Sequence, residues 1–155
     1  MKRISLRILI FLLSISGFSG FSGFSVFSAN ADPSARSADI TIYNNTSKTL
    51  TISSMELLHG QWAHKPPYNI FPNGSGYFRS ESNGFLTGTE GIVKYRLRDN
   101  SSMFTIHWDI PYWGFVSYEI NSSSPLYKIS REGGDHGDNV HVKITIEKSA
   151  NLKPL

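Results

Sequence analysis

Residues 104–120, FTIHWDIPYWGFVSYEI, decide the fold. Phe104, Ile106, Trp108 and Ile110 alternate with Thr105, His107 and Asp109, the two-residue period of a strand buried on one face. Pro111 has no N–H to donate and ends the ladder. Tyr112 and Trp113 follow, and Gly114 permits a sharp bend. Val116, Tyr118 and Ile120 then alternate with Ser117 and Glu119 in a second strand. The segment reads as two strands joined by a loop that carries two large aromatics. Rings of this kind, apolar in body and polar at one edge, suit a membrane interface or a ligand platform. The other reading of the same pattern folds them back as a lid over the core.

The alternation extends in both directions. Val93, Tyr95 and Leu97 face in while Lys94, Arg96 and Arg98 face out, and Val140, Val142, Ile144 and Ile146 alternate with His141, Lys143, Thr145 and Glu147. Ile40 and Ile42 begin the first strand, with a turn at Asn44-Asn45. Leu50 and Ile52 start the second, and Met55, Leu57 and Leu58 extend it. His59-Gly60-Gln61-Trp62 then leads into a loop carrying Pro66, Pro67 and Tyr68. Ile70-Phe71 and Tyr77-Phe78 flank Asn73-Gly74, a hairpin signal. Residues 84–91 read as a loop, 133–139 as a turn, and Leu126, Tyr127 and Ile129 as one more short strand. No segment sustains a helical period. Short strands with turn signals every ten or so residues predict an all-β fold, a single-domain antiparallel β-sandwich over 40–148. A flexible stretch is expected over 32–39 and a C-terminal tail over 149–155.

Residues 1–31 read as a secretory signal peptide, which predicts a secreted protein. Lys2, Arg3 and Arg7 are its positive end, Ile8 to Ile15 its apolar run, and Ala29-Asn30-Ala31 its cleavage site. The uninterrupted apolar run is short of the roughly 20 residues of a membrane span. Of fifteen Lys and Arg in the chain those three precede residue 32, and none of the twelve Asp and Glu does, so the remainder has no net charge. That argues against nucleic acid as a partner. Without cysteine, the domain must stand on its core alone. Five Asn-x-Ser/Thr matches, at Asn44, Asn45, Asn73, Asn100 and Asn121, are weak signals in so Asn- and Ser-rich a chain.

Nothing in the sequence points to catalysis. The five histidines, His59, His64, His107, His136 and His141, form no zinc motif, and His107 and His141 fall on outward strand positions that predict solvated side chains. Gly133 to Asn139 resembles a calcium-binding nonapeptide turn, but such turns work in stacks and this one occurs once. No nucleophile elbow, phosphate loop or dinucleotide fingerprint is present. The expectation is no catalytic residue, no metal and no cofactor. Lys94, Arg96 and Arg98 form a basic stripe, read as a solvated or charge-guarded face or as a phosphate contact in which Arg96 and Arg98 form bidentate bonds.

The order of these pieces resembles the aegerolysin family. The matching residues are Ile40, Ile42 and Asn44 at an early strand end, Gly60-Gln61-Trp62, Gly88-Thr89-Glu90-Gly91 before a strand, and Trp108-Asp109 followed by Pro111, an aromatic pair and Gly114. Where the family commonly has W-D-x-P-W-G, this chain has W-D-I-P-Y-W-G, one aromatic longer. The resemblance covers roughly residues 40–147. It implies a small β-sandwich that recognises membrane lipids, especially sphingolipid or sphingolipid–sterol assemblies, and that acts with a larger pore-forming partner protein. Actinoporins share a related sandwich, but their amphipathic N-terminal helix has no counterpart here.

On this reading Tyr112, Trp113, Trp108, Trp62, Tyr68 and Asp109 are the expected lipid contacts, with Arg96 and Arg98 as headgroup contacts. Tyr112 and Trp113 rank above Trp108, whose inward parity suits the core. The runs 92–98 and 140–147 are shorter than a transmembrane barrel strand of about 9–11 residues, which predicts binding without perforation. The alternative is a carbohydrate-binding or adhesin-like module, since loops rich in Trp, Tyr, Asn and Asp also stack on sugars.

Overall fold

Period-two alternation with turn residues between the runs becomes ten strands in the computed structural model, which describes residues 35–150. The predicted signal peptide, the first residues of the 32–39 segment and residues 151–155 lie outside the described residues. The strands are β1 (Ser37–Asn45), β2 (Leu50–His59), β3 (Gln61–His64), β4 (Asn69–Ile70), β5 (Ser75–Glu81), β6 (Thr89–Leu97), β7 (Met103–Ile110), β8 (Ser117–Ser122), β9 (Tyr127–Glu132) and β10 (Asn139–Lys148). They form two five-stranded sheets in the orders β3-β5-β1-β10-β9 and β4-β2-β6-β7-β8.

The core lies between the sheets and is made of the inward residues that the alternation predicts. Ile40 and Ile42, Val93, Tyr95 and Leu97, Phe104, Ile106, Trp108 and Ile110, and Val140 to Ile146 at every second position are buried. Each side chain of this size contributes about 1.5–3 kcal/mol when removed from water. The partly buried Val116, Tyr118, Ile120, Tyr127 and Ile129 pack against this cluster.

Four features differ from the sequence-based expectations. First, the sheets are antiparallel except at one place: β1 and β10 pair in parallel, from Ser37 opposite Asn139 to Asn45 opposite Glu147. Second, β1 begins at Ser37 rather than Ile40, so the end of the supposed flexible segment is strand. Ser37 N donates to Asp138 O at 3.0 Å and Ser82 N to Arg36 O at 2.8 Å. Third, Asn44 and Asn45 end β1 rather than forming the turn. The buried Asn44 amide donates to Lys48 O (2.9 Å), Ile70 O (2.9 Å) and Phe71 O (3.1 Å), which ties three chain segments together. Fourth, Asn73-Gly74 is not a hairpin turn: it passes the chain from β4 in one sheet to β5 in the other, with Asn73 at a φ of 56°.

The apolar run of β2 changes phase because the strand bulges twice, between Ile52 and Ser54 and between Leu57 and His59. The second bulge turns His59 outward opposite Glu90. Trp62, expected in a loop, lies in the short strand β3.

Candidate functional site

One end of the sandwich, where β6 begins and β7 ends, gathers charged and aromatic side chains. Register places Glu90 between His59 of β2 and Asp109 of β7, all on the outer face of their sheet. Glu90 Oε2 lies 2.8 Å from His59 Nδ1, and Oε1 lies 3.1 Å from His107 Nε2. These contacts, the one to His59 foremost, hold the Glu90 carboxyl below its ordinary range against the opposing effect of burial. Asp109 is the reverse case. Burial first, then the Glu90 charge, pushes its carboxyl up, and its side chain takes part in no hydrogen bond among the described residues.

The Gly88-Thr89-Glu90-Gly91 segment has a separate physical reason at each position. A side chain at Gly88 would sit 2.8 Å from Pro111 Cα, so this glycine lets the 84–88 and 111–115 loops touch. Thr89 is buried and donates to Ser80 Oγ at 2.8 Å. Glu90 points into the charged cluster. A Cβ at Gly91 would lie 2.6 Å from the indole of Trp108. That ring takes the space, donates its N–H to Ser80 Oγ at 2.9 Å, and packs on Trp62 and Phe78 with centroids 5.7 and 5.4 Å away.

The loop after β7 is held from outside by Arg36. Its Nε donates to Pro111 O at 3.0 Å and its Nη2 to Tyr112 O at 2.8 Å. The guanidinium lies 4.7 Å from the centre of the Tyr112 ring, and Nη1 pairs with Asp138 at 2.9 Å. Tyr112 is thereby half-buried, and its ring meets Trp113 edge-on at 5.2 Å. Trp113 is 79% exposed, Phe115 95%, and Phe85 in the neighbouring loop 91%, with Leu86 exposed beside it. A cleft of about 340 Å³ at this end is lined by His59, Glu90 and Asp109 together with Leu86, Pro111, Tyr112 and Trp113.

The aegerolysin family profile matches residues 35–150. The chain belongs to the aegerolysin family. An uncharacterized protein of Dictyostelium discoideum is 38% identical over 91 residues, which is 58% of this chain and 8% of that much longer protein. Among solved structures, the lipid binding protein Nakanori superposes with a TM-score of 0.63 at 18% identity over 74% of this chain and 72% of its own. The RahU protein, solved in complex with a Tris molecule, superposes with a TM-score of 0.66 at 16% identity over 76% of this chain and 98% of its own. At these identities the two structures speak for the fold.

The residues singled out in the aegerolysin sequence do not converge on one place. Tyr112, Trp113 and Asp109 meet at the cleft. Trp108 is fully buried and Trp62 half-buried against it, so both serve the core, and Trp108 has no surface to offer a lipid. Tyr68, Arg96 and Arg98 lie at the far end of β6. Glu90 and Arg96 are six residues apart on that strand, about 20 Å, so one headgroup cannot touch both ends. Sequence reasoning missed Phe85, Leu86, Phe115, His59 and Glu90. Two consecutive large apolar residues in a Gly- and Thr-rich loop, Phe85-Leu86, were the available signal. His107 is not simply solvated, since its Nε2 faces Glu90.

Proposed function

We propose that this aegerolysin recognises the surface of membranes rich in zwitterionic lipid, sphingolipid with or without sterol, through the end formed by the 84–88 and 111–115 loops. One observation carries the reading: three strongly exposed aromatics, Phe85, Trp113 and Phe115, stand in the two loops of this end, beside a cleft that Trp113 lines together with Asp109, a carboxylate without a hydrogen-bond partner among the described residues. Exposed rings at a loop tip stay in water only at a cost, and the interface of a bilayer relieves it. An ammonium group of a headgroup would supply the cation that Asp109 lacks, with the Tyr112 and Trp113 rings beside it in the manner of a cation–π contact. A domain with no net charge suits a zwitterionic surface better than a strongly anionic one.

Family membership and the likeness in fold to Nakanori, a lipid binding protein, support the same reading. Binding rather than catalysis is its activity. The segment 1–31 is read as the leader that delivers it outside the cell, and a larger pore-forming protein is the partner that would act on the marked membrane.

Sedimentation with vesicles tests the proposal. Wild type should pellet with sphingomyelin–sterol or phosphatidylcholine vesicles. Trp113→Ala combined with Phe115→Ala should weaken binding about tenfold or more, since each ring carries roughly 1.5–3 kcal/mol of burial, and should leave the melting temperature within a few degrees. No pelleting with either vesicle type would refute the reading.

A further inference from the structure

The opposite end of the same sheet face carries a second, separate site. Tyr68 is 67% exposed and Phe71 66%. They line a groove of about 280 Å³ with Arg96, Arg98, Thr51 and Asn69. Exposed aromatics on a slack loop would mean little, but this loop is pinned from beneath by buried groups. Ile52 N donates to Tyr68 O at 2.9 Å. The buried Tyr95 donates its hydroxyl to Pro67 O at 2.6 Å, and the buried Asn44 amide holds Ile70 O and Phe71 O at 2.9 and 3.1 Å. Two core residues thus spend their polar atoms fixing the backbone that displays two rings to water.

The charge beside those rings is positive and uncompensated. Arg96 donates to the Asn100 side chain, and neither Arg96 nor Arg98 has a carboxylate partner among the described residues. Asp99, between them and the next turn, is committed to Lys48 and Ser101. Thr51 donates to Asn69 Oδ1 at 2.9 Å, which leaves the Asn69 amide N–H groups to donate outward. Aromatic rings carried on a fixed backbone stack on the apolar face of a sugar, and forked guanidinium groups take a carboxylate or sulfate in bidentate fashion.

The geometry points to a binding site for an acidic glycan, a pyranose bearing carboxylate or sulfate, at the end of the sandwich remote from the vesicle-binding loops. The sugar ring lies against Tyr68 and Phe71, the acidic substituent meets Arg96 and Arg98, and Asn69 donates to a ring hydroxyl. The two sites lie about 20 Å apart along β6, so each works without the other.

Calorimetric titration of the purified protein with a sulfated oligosaccharide and a uronate oligosaccharide tests this, with a neutral oligosaccharide and inorganic sulfate alongside. The acidic sugars should bind, and the neutral one should bind at least about tenfold more weakly. Arg98→Ala and Tyr68→Ala should each reduce affinity about tenfold while keeping wild-type melting temperatures and vesicle sedimentation. Trp113→Ala should leave sugar affinity unchanged. The proposal is overturned if neither acidic sugar produces binding heat with protein that still sediments with vesicles or melts normally. It is equally overturned if inorganic sulfate competes as well as the sugars, or if both variants bind like wild type.

Discussion

Asp109 is half-buried beside a second carboxylate, and its proton affinity is raised for that reason. The sign of its effect on stability follows from linkage. Between the ordinary carboxylate range and its raised value, the folded chain keeps a proton that the unfolded chain has released, so stability falls as pH rises through that window. Asp109→Asn should therefore raise the melting temperature at about pH 7 and leave it unchanged near pH 3, below the usual range of about 3.9, while weakening vesicle binding. Melting curves across that range check it, and a lower melting temperature for the variant at neutral pH would sink it. Glu90 has the opposite sign. Its lowered value contributes stability that is present above the ordinary carboxylate range and lost as pH falls through the depressed value. The site thus holds one carboxylate that the fold has satisfied and one that has no hydrogen-bond partner among the described residues.

At the scale of elements, the 111–115 loop owes its shape to a residue 75 positions earlier. Arg36 uses two different nitrogens for two carbonyls and its flat face for Tyr112, which an ammonium on a flexible stem cannot reproduce. Arg36→Ala should cost roughly 1–2 kcal/mol of stability and lower vesicle affinity several-fold, and Arg36→Lys should fail to restore either. Thermal melts and sedimentation on the three proteins decide the matter; full recovery with lysine would show that charge alone suffices. Such a tie is invisible in the sequence, where Arg36 stands in a polar stretch with no pattern around it. The strands themselves were legible because burial on one face imposes period two, and 104–110 and 140–146 follow it without exception. Partnership was not. Nothing in the alternation of β1 or β10 says that they lie side by side in parallel. Asn73-Gly74 also has the chemistry of a hairpin turn while serving as a crossing between sheets. The same limit explains the candidate site: Tyr112, Trp113 and Tyr68 could be picked out by type, Phe85 and Phe115 were not, and the division of these rings between two ends depends on where along β6 each partner strand docks.

For the whole molecule, the question is whether the domain can cross the membrane that it is proposed to bind. Strand length does not prevent it, contrary to the sequence-based expectation: β6 has nine residues and β10 ten, within reach of a barrel strand. What opposes it is that the apolar face of each already closes the core. Turning those faces to lipid would mean opening the sandwich and exposing side chains worth about 1.5–3 kcal/mol apiece. The purified protein should therefore bind vesicles without releasing an entrapped dye, and release should require a second, larger protein. Dye efflux caused by this chain alone, at concentrations where binding just saturates, would contradict that account.

The parallel pairing of the first and last strands also sets how the domain bears tension. Ser37, where β1 starts, and Lys148, where β10 finishes, lie at opposite ends of one ladder. A pull applied through the two strand ends runs along that ladder and strains its hydrogen bonds together, in shear, instead of peeling them one at a time. Rupture then waits on a single concerted event whose rate, not the equilibrium stability, sets the force the domain withstands. An anchor on a membrane at one end and a load at the other would be joined along that ladder.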